Sequence, residues 1–314
     1  MMQSATHKSA AIVAILLFFL TNQATAKVHA DYGVVAGYSN IFNSEDNPPA
    51  PLSNSASYAS GSDNDASNAY VLAQYGILKA RGDASASGYY QISSSSSYSG
   101  FYDAVTISNP ALNGQIGYLT ATLLYNDTYS YSAYGAKDAF ASASSSFKLF
   151  ANIPDAPSFL PTFISSSQAN VSQGGSINCT ASVCTVLGDG ISVSTIGGSS
   201  VLDSKPGISI TAKLPFIFGS SFDLGATLTT SAIAHSGAGG SAFSATDASH
   251  SLYWGGIPDV RDASGTSVSF SLVSDTGIDW RRSFVPTVPE PSSPAMLLSG
   301  GLVLLGSVRR KRKA

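Results

Sequence analysis

The run AYVLAQYGILKA at residues 69–80 is the clearest sign of how this chain folds. It gathers aromatic, β-branched and other apolar residues in a short stretch, which is the composition of a β-strand. Similar runs recur, with FYDAVTIS at residues 101–108 and IGYLTATLL at residues 116–124 as examples. Turn residues such as Asn109-Pro110 and Asn126-Asp127 separate the runs. This spacing predicts antiparallel sheets in an all-β domain.

The pattern continues into the last third of the chain. Further strand runs occupy residues 146–153, 208–218, 222–233, 251–254 and 267–273. The predicted fold is an all-β, antiparallel β-sandwich with jelly-roll-like connectivity. Prolines at 154, 157 and 161 interrupt the middle of the chain. They leave two smaller β domains, with a boundary near residues 152–162, as the alternative.

Composition disfavours helix in the body of the chain. Glu45 and Glu290 are the only glutamates, whereas Ser, Gly, Ala, Thr and Asn are abundant, so most of the usual helix formers are scarce. We therefore expect hardly any helix between the two terminal segments. Two polar stretches are predicted to lie outside the regular core-facing strands. Residues 93–97 are expected to form a solvated strand or loop, and Arg81-Gly82-Asp83 a turn between strands.

The body is acidic although the whole chain is nearly neutral. The sequence has 16 Lys and Arg against 19 Asp and Glu. Six of the basic side chains lie outside the body, at Lys8 and residues 309–313, and one of the acidic ones does, at Glu290. Residues 27–289 therefore have ten basic and 18 acidic residues, which gives a net charge of −8. Such a surface argues against nucleic acid as a partner, because phosphates require a positive surface. It favours solubility, or cations as partners.

The N-terminal segment predicts a secretory signal peptide over residues 1–26. A weakly basic start precedes the apolar run at residues 10–20, and Ala24 and Ala26 supply a small-x-small cleavage pattern. Val28-His29-Ala30 is a second acceptable cleavage site. We expect a signal-peptide helix here and export through the general secretory machinery.

The C-terminal segment has three parts. The motif Val288-Pro289-Glu290-Pro291 precedes an apolar run at residues 295–308 and the basic block Arg309-Arg310-Lys311-Arg312-Lys313. Each basic side chain at the bilayer centre costs about 2.5–3.5 kcal/mol, so the block stays cytoplasmic and the body faces outward. The apolar run has 14 residues, fewer than the roughly 17–25 of a comfortable span. We expect a marginal hydrophobic helix suited to removal, with an ordinary C-terminal anchor as the alternative.

This order of motif, apolar run and basic end resembles the PEP-CTERM sorting signal of exopolysaccharide-producing Gram-negative bacteria. The resemblance covers residues 287–314 and implies that exosortase, a membrane transpeptidase, processes the chain through its PEP motif. It also implies transient anchoring in the inner membrane and then a place at the cell surface or in the extracellular matrix, with exopolysaccharide or biofilm as the setting. Body phrases such as SFDLGAT at residues 221–227 are similar to those of other such substrates. The resemblance carries over no catalytic residue.

Cys179 and Cys184 are the only cysteines. In an exported protein an even pair predicts a disulfide, and closing so small a loop is worth roughly 2 kcal/mol. The alternative is a metal or redox pair. Structural zinc usually takes four ligands, and no His or further Cys lies nearby in the sequence. We expect neither a metal nor another cofactor.

Patterns that signal catalysis are weak. The chain has no HExxH and no Gly-x-Ser-x-Gly. Ser145-Ser146-Phe147-Lys148 fits Ser-x-x-Lys, but the accompanying Lys-Thr-Gly is absent. Aspartates are scattered, and a pair spaced for glycoside hydrolysis is not visible in the linear sequence. The sequence therefore predicts a structural or interaction protein and not an enzyme.

Tyrosines leave a carbohydrate-binding module of the cell envelope as the alternative function. The candidates are Tyr89, Tyr90, Tyr98, Tyr102, Tyr129 and Tyr131. Exposed, coplanar rings would stack on sugars, whereas packing across neighbouring strands would bury them. Cross-strand packing is the prediction that we favour for these side chains.

Overall fold

The structure, a computed structural model, describes residues 27–36, 39–47, 52–59, 65–134, 138–153, 166–180, 183–196, 199–203 and 208–286. These residues form strands and turns, and they include no helix of the length and hydropathy that a membrane crossing needs. The all-β prediction is confirmed for this part of the chain. The signal-peptide helix in residues 1–26 and the hydrophobic helix in residues 295–308 lie outside the described residues.

Strands follow one another along the described chain. They are β1 (Lys27–Ala36), β2 (Ser39–Asn47), β3 (Leu52–Ala59), β4 (Ala66–Gln74), β5 (Ile77–Tyr89), β6 (Ile92–Ser108), β7 (Ile116–Tyr125), β8 (Thr128–Tyr134), β9 (Phe140–Asn152), β10 (Ser166–Thr180), β11 (Val183–Ile196), β12 (Ser199–Asp203), β13 (Ile208–Ile217), β14 (Ser221–His235), β15 (Ala238–Asp262) and β16 (Ser271–Ser274). The opening run at residues 69–80 spans the end of β4, a turn and the start of β5.

The strands form two antiparallel sheets of eight strands each within the described residues. Sheet A has the order β11-β10-β9-β14-β6-β1-β2, with β16 paired to the end of β6. Sheet B has the order β12-β13-β7-β15-β5-β4-β3. In sheet B the 25-residue strand β15 pairs with β8 through its first part and with β7 through its second. Antiparallel pairing is confirmed, and jelly-roll connectivity stays a prediction.

One hydrophobic core joins the two sheets. In strands such as β7 and β9 every second residue is buried, as expected where one face of a strand meets the other sheet. Residues of both sheets contribute to a single large cluster, so the sheets pack face to face as two layers. The largest fully buried side chains of this cluster are aromatic, namely Phe101, Phe147, Phe216, Phe218, Phe222, Trp254 and Trp280.

A second cluster is built from small residues. It consists of Ala84, Ala86, Ala141, Ala232, Ala234 and Ala242. Strand β6 also buries Ser93, Ser95, Ser97 and Ser99. The prediction for residues 93–97 is right about a strand but wrong about solvation, because alternate serines lie between the sheets. The sheets approach closely here, since a Cβ added to Gly82 would lie 2.6 Å from Ser95 Oγ.

Arg81-Gly82-Asp83 lies inside β5 and not in a turn. Each of the three residues pairs with β4 on one side and with β15 on the other. The turn prediction is therefore wrong. Pairing with strands on both sides overrides the local turn preference of Gly and Asp, which are depleted in strands on average.

Residues 275–284, which we call the C-terminal strap, complete the aromatic core. The buried ring of Trp280 stacks on Phe101, with centroids 5.2 Å apart and an interplanar angle of 11°. Trp254 donates from Nε1 to the Trp280 carbonyl at 2.7 Å and accepts from Phe284 N–H at 2.8 Å. The strap is thus held by both ring packing and hydrogen bonds.

The buried serines of β6 provide a matched pair of substitutions. Ser97 Oγ donates to the Arg81 carbonyl at 3.0 Å, whereas Ser95 Oγ has no hydrogen-bond partner among the described residues. We predict that Ser97→Ala lowers the free energy of unfolding by about 1 kcal/mol, and that Ser95→Ala is neutral or stabilising. Urea titration followed by far-UV circular dichroism measures both. Equal losses in the two variants would contradict the hydrogen-bond assignment.

The strap provides a second prediction. Trp280→Ala removes a fully buried ring and should lower the free energy of unfolding by about 3–5 kcal/mol. Arg282→Ala is the control in the same strap, because the Arg282 side chain is 82% exposed and should change stability by less than about 0.5 kcal/mol. If the same titration gave Trp280→Ala a value near that of the control, the strap would not belong to the core.

Candidate functional site

The residues of the two terminal predictions lie outside the described part of the chain. These are the cleavage residues Ala24 and Ala26, the motif Val288-Pro289-Glu290-Pro291 and the basic block Arg309-Arg310-Lys311-Arg312-Lys313. They stay predictions, as does the domain boundary near residues 152–162. Strands β9 and β10, on either side of that boundary, pair directly with each other in sheet A.

Cys179 and Cys184 are direct partners in the antiparallel pairing of β10 with β11. Their sulfur atoms are bonded, with Cys179 buried and Cys184 exposed. The bond therefore joins β11, at one end of the order of sheet A, to its neighbour β10.

Three aspartates lie near one another where the strap meets sheet A. Buried Asp103 accepts hydrogen bonds from Trp280 Nε1 at 2.7 Å, from Thr276 N–H at 3.3 Å and from Thr276 Oγ1. Burial raises the pKa of Asp223, and the charges of Asp275 and Asp103 raise it further. Burial followed by the charge of Asp103 also raises the pKa of Asp275. Asp103 thus binds the strap through hydrogen bonds. For Asp223 and Asp275, the folded state disfavours the ionised form of the carboxyl group.

Asp103 has a structural role in this cluster. The oxygens of Asp103 are engaged by donors from the strap. Within the described ranges no group of three or more His, Cys, Asp or Glu side chains is placed to hold a metal ion. The arrangement secures residues 275–284 to the body.

A second carboxylate links the two sheets. Asp127, in the break between β7 and β8, accepts hydrogen bonds from Tyr125 OH at 2.7 Å, from Gln173 Nε2 at 2.9 Å and from Ser145 Oγ. Ser145 and Gln173 belong to β9 and β10 of sheet A, whereas Tyr125 ends β7 of sheet B. Burial, and then the charge of Asp127, raises the pKa of Tyr125 well above its ordinary value. The phenol therefore stays protonated and remains a donor.

The Ser-x-x-Lys match does not bring its two functional groups together. Ser145 is buried on the inner face of β9, and Lys148 is on the opposite face of the same strand. Lys148 Nζ lies 5.8 Å from the centroid of the Phe150 ring. Ser145 is used instead for the hydrogen bond to Asp127.

The candidate sugar-binding tyrosines differ in exposure. Those that are half-buried are Tyr98, Tyr102, Tyr129 and Tyr131. The rings of Tyr129 and Tyr131 are parallel within 7° and 6.3 Å apart, but Tyr131 packs on the alanine cluster between the sheets. Tyr89 and Tyr90, by contrast, are 70% and 49% exposed.

Tyr89 and Tyr90 lie at the tip where the β5–β6 turn meets the β14–β15 turn. Gln91 N–H donates to Ser236 Oγ at 2.9 Å, and Ser236 N–H donates back to the Gln91 carbonyl at 3.0 Å. Tyr90 N–H donates to the carbonyl of Gly237. Hydrogen bonds between the two turns therefore fix the backbone at Tyr90, and Tyr89 pairs with Ala238 of β15.

Further apolar and aromatic residues lie beside His235 in sheet A, and His235 lies next to Tyr90. Phe140 of β9, His235 of β14 and Ile92 of β6 are direct partners in the register of sheet A. The Tyr90 and His235 ring centroids are 6.1 Å apart, and those of Tyr90 and Tyr89 are 4.7 Å apart with perpendicular planes. We call the whole set the tip patch; it consists of Tyr89, Tyr90, Ile92, Phe140, Ile233 and His235. The sequence indicated two of these residues, and strand register supplies the rest.

Comparison with known proteins informs the C-terminal segment. Residues 287–313 match the PEP-CTERM protein-sorting motif. This match confirms the resemblance drawn from the sequence and is consistent with an exosortase substrate. It supports export of the chain, sorting by exosortase and membrane association before processing. No curated protein and no solved structure matches the chain.

The PEP-CTERM match begins three positions after the last residue of the strap. Phe284, the last residue of the compact body, donates its N–H to Trp254 and packs on Trp280 with ring centroids 5.8 Å apart. Val288 comes four positions later in the sequence. The described core residues all come before the motif in the sequence, so removal of the chain after the motif removes none of them.

The raised pKa of Asp223 predicts how this carboxyl group changes the stability of the fold with pH. A carboxyl whose folded pKa is above its unfolded value destabilises the fold once it ionises, so the penalty is absent below about pH 4 and grows as the pH rises through the folded pKa. Asp223→Asn should therefore raise the urea midpoint at pH 7, and the difference from the native chain should vanish at about pH 3.

A control of opposite sign is available in Asp262. Hydrogen bonds from Ser264 Oγ and then from Thr266 N–H lower the pKa of Asp262, so its ionised form favours the fold above the unfolded pKa. Asp262→Asn should not raise the urea midpoint at pH 7. A gain in both variants would show a general effect of reduced negative charge and would contradict the local explanation for Asp223.

Proposed function

We propose that this chain is an exported protein of the cell surface or extracellular matrix, with a structural or interaction role in exopolysaccharide or biofilm. The observation that carries the proposal is the PEP-CTERM match at residues 287–313. Exosortase and the secretory machinery are its partners in transit, and the inner membrane holds it through residues 295–308 before processing. We propose no catalytic activity and no cofactor for the body.

Features of the body support this role. Residues 27–289 have a net charge of −8, which favours solubility outside the cell and disfavours nucleic acid. The Cys179–Cys184 bond suits an oxidising compartment. Every residue of the described core precedes the sorting segment in the sequence, so cleavage there removes none of them. The body is therefore suited to persist after processing.

The second candidate is a carbohydrate-binding module of the cell envelope. The observation that favours it is the exposure of Tyr89 and Tyr90, whose rings are 70% and 49% accessible at the tip. The parallel pair Tyr129 and Tyr131 supports it less, because both rings are half-buried. A binding role and a matrix role are compatible, since a matrix protein is retained by what it binds.

Processing through the PEP motif is tested on the protein in its own host. The variant Pro289→Ala/Glu290→Ala/Pro291→Ala should abolish processing, because it removes the motif but leaves the apolar run and the basic block intact. Intact mass and cell fractionation measure the result. We expect a mature native form that lacks the residues after the motif, and a variant that keeps them and stays in the membrane.

The control is Pro286→Ala/Pro294→Ala, which alters two prolines next to the motif but none within it. This variant should be processed as the native chain is. The proposal fails if the native protein retains its basic tail in the membrane, because the chain would then be a simple anchored protein.

A further inference from the structure

We infer that the tip patch binds a neutral polysaccharide, with Tyr89 and Tyr90 as the residues that stack on its sugar rings. The inference rests on the proposed location of the protein outside the cell. It goes beyond that proposal by assigning a ligand class to one place on the body.

The exposure of the patch is the first argument. Tyr89 is 70%, Tyr90 49%, Ile92 49% and Ile233 37% exposed. Single apolar residues on a surface are ordinary, but a contiguous group of large ones at one place marks an interaction site. Ile92 pairs directly with His235 in sheet A, and Ile233 lies two positions before His235 on the same strand. The ring of Tyr90 lies next to those of His235 and Tyr89, which joins the tyrosines to this group.

The backbone of Tyr90 is the second argument. Its φ is 54°, in the left-handed region, which is a rare conformation for a bulky residue and costs on the order of 1–3 kcal/mol. Glycine would occupy this turn position without strain. The Gly237 carbonyl accepts the backbone N–H of Tyr90 in this conformation, and the turn itself does not require a large aromatic side chain. A role for the exposed ring in binding accounts for the tyrosine.

Ring geometry is the third argument. The Tyr89 and Tyr90 planes are perpendicular, at 89°, while Tyr90 and His235 are inclined at 33°. The face of an aromatic ring is electronegative, so it attracts the C–H groups on the apolar side of a sugar ring. Phe140 and Ile92 lie two strands apart, roughly 10 Å, and the patch is therefore long enough for more than one sugar unit.

Charge selects the kind of polymer. No residue in the described ranges 89–94, 140–142 and 233–241 is Lys, Arg, Asp or Glu. The side chains of Gln91 and His235, both partly exposed, supply polar groups at the same tip, which suit hydroxyl groups. The body around the patch has a net charge of −8 and repels anionic chains. A neutral polysaccharide meets all three conditions.

The same features weigh against two other occupants. A phospholipid surface is usually recognised by exposed aromatics together with Lys or Arg. The three ranges above contain aromatics but no Lys and no Arg. A second copy of the chain would bring two acidic bodies together. Both remain outcomes that the experiment distinguishes.

Affinity electrophoresis tests the inference on the protein purified from its host. Native gels contain hydroxyethylcellulose, dextran or galactomannan as neutral polymers, or alginate as an anionic one. We expect retardation in at least one neutral gel and none in alginate. Tyr89→Ala and Tyr90→Ala should each weaken binding by about tenfold.

Two further variants separate binding from folding. Tyr90→Gly relieves the backbone, so it should keep or raise the urea midpoint while losing binding to the same extent as Tyr90→Ala. Tyr253→Ala is the control, because this half-exposed tyrosine pairs with Ile77 at the opposite end of the 13-residue strand β5. It should bind as the native protein does.

Several results would overturn the inference. Migration unchanged in every neutral gel, or retardation in alginate alone, would exclude a neutral polysaccharide. Sedimentation with phosphatidylcholine vesicles would assign the patch to lipid, and a dimer that Tyr89→Ala dissociates in light scattering would assign it to a second copy. Because processing is measured separately by intact mass, loss of binding leaves the sorting result unaffected, and the reverse also holds.

Discussion

The hydrogen bond from Trp280 Nε1 to the buried carboxylate of Asp103, at 2.7 Å, is the interaction on which the aromatic part of the body depends. A buried charge is tolerated only when its oxygens are paired, and the strap supplies the donors through Trp280 and Thr276. In return the strap places the Trp280 ring between Phe101 and Trp254. Loss of the Asp103 carboxylate would leave the indole N–H of Trp280 without its acceptor inside the core.

The two parts of the core are packed by different kinds of side chain. Around the strap, large rings fill the space between the sheets, and the compact body ends at Phe284, close in sequence to the sorting segment. Toward the tip, alanines and serines let the sheets come together without aromatic filling. Tyr89 and Tyr90, at this end of the body, do not fill the core and are exposed to solvent. Asp103 and Ile92 are separated by eleven positions of β6, roughly 37 Å, so the two regions are far apart.

Much of the fold could be predicted from local pattern, and the errors have a common cause. The run at residues 116–124 corresponds to β7, because alternating apolar residues show themselves within one strand. Arg81-Gly82-Asp83 and the serines at 93–97 were misjudged because their surroundings come from distant strands. Ser97 bonds to the Arg81 carbonyl across the sheets, and no local propensity contains that information. Of the tip patch, only Tyr89 and Tyr90 could be named beforehand.

The sequence by itself determined the class of fold and the sorting signal. Both are local properties: strand runs follow a two-residue period, and the signal is a linear order of PEP motif, apolar run and basic block. Only the tertiary structure decided which polar and aromatic residues are inside. Asp103 meets Thr276 across 173 positions of the chain, and Tyr131 enters the space between the sheets while Tyr89 stays outside. Burial depends on which distant strands pair, and strand pairing is determined by the packing of the whole core.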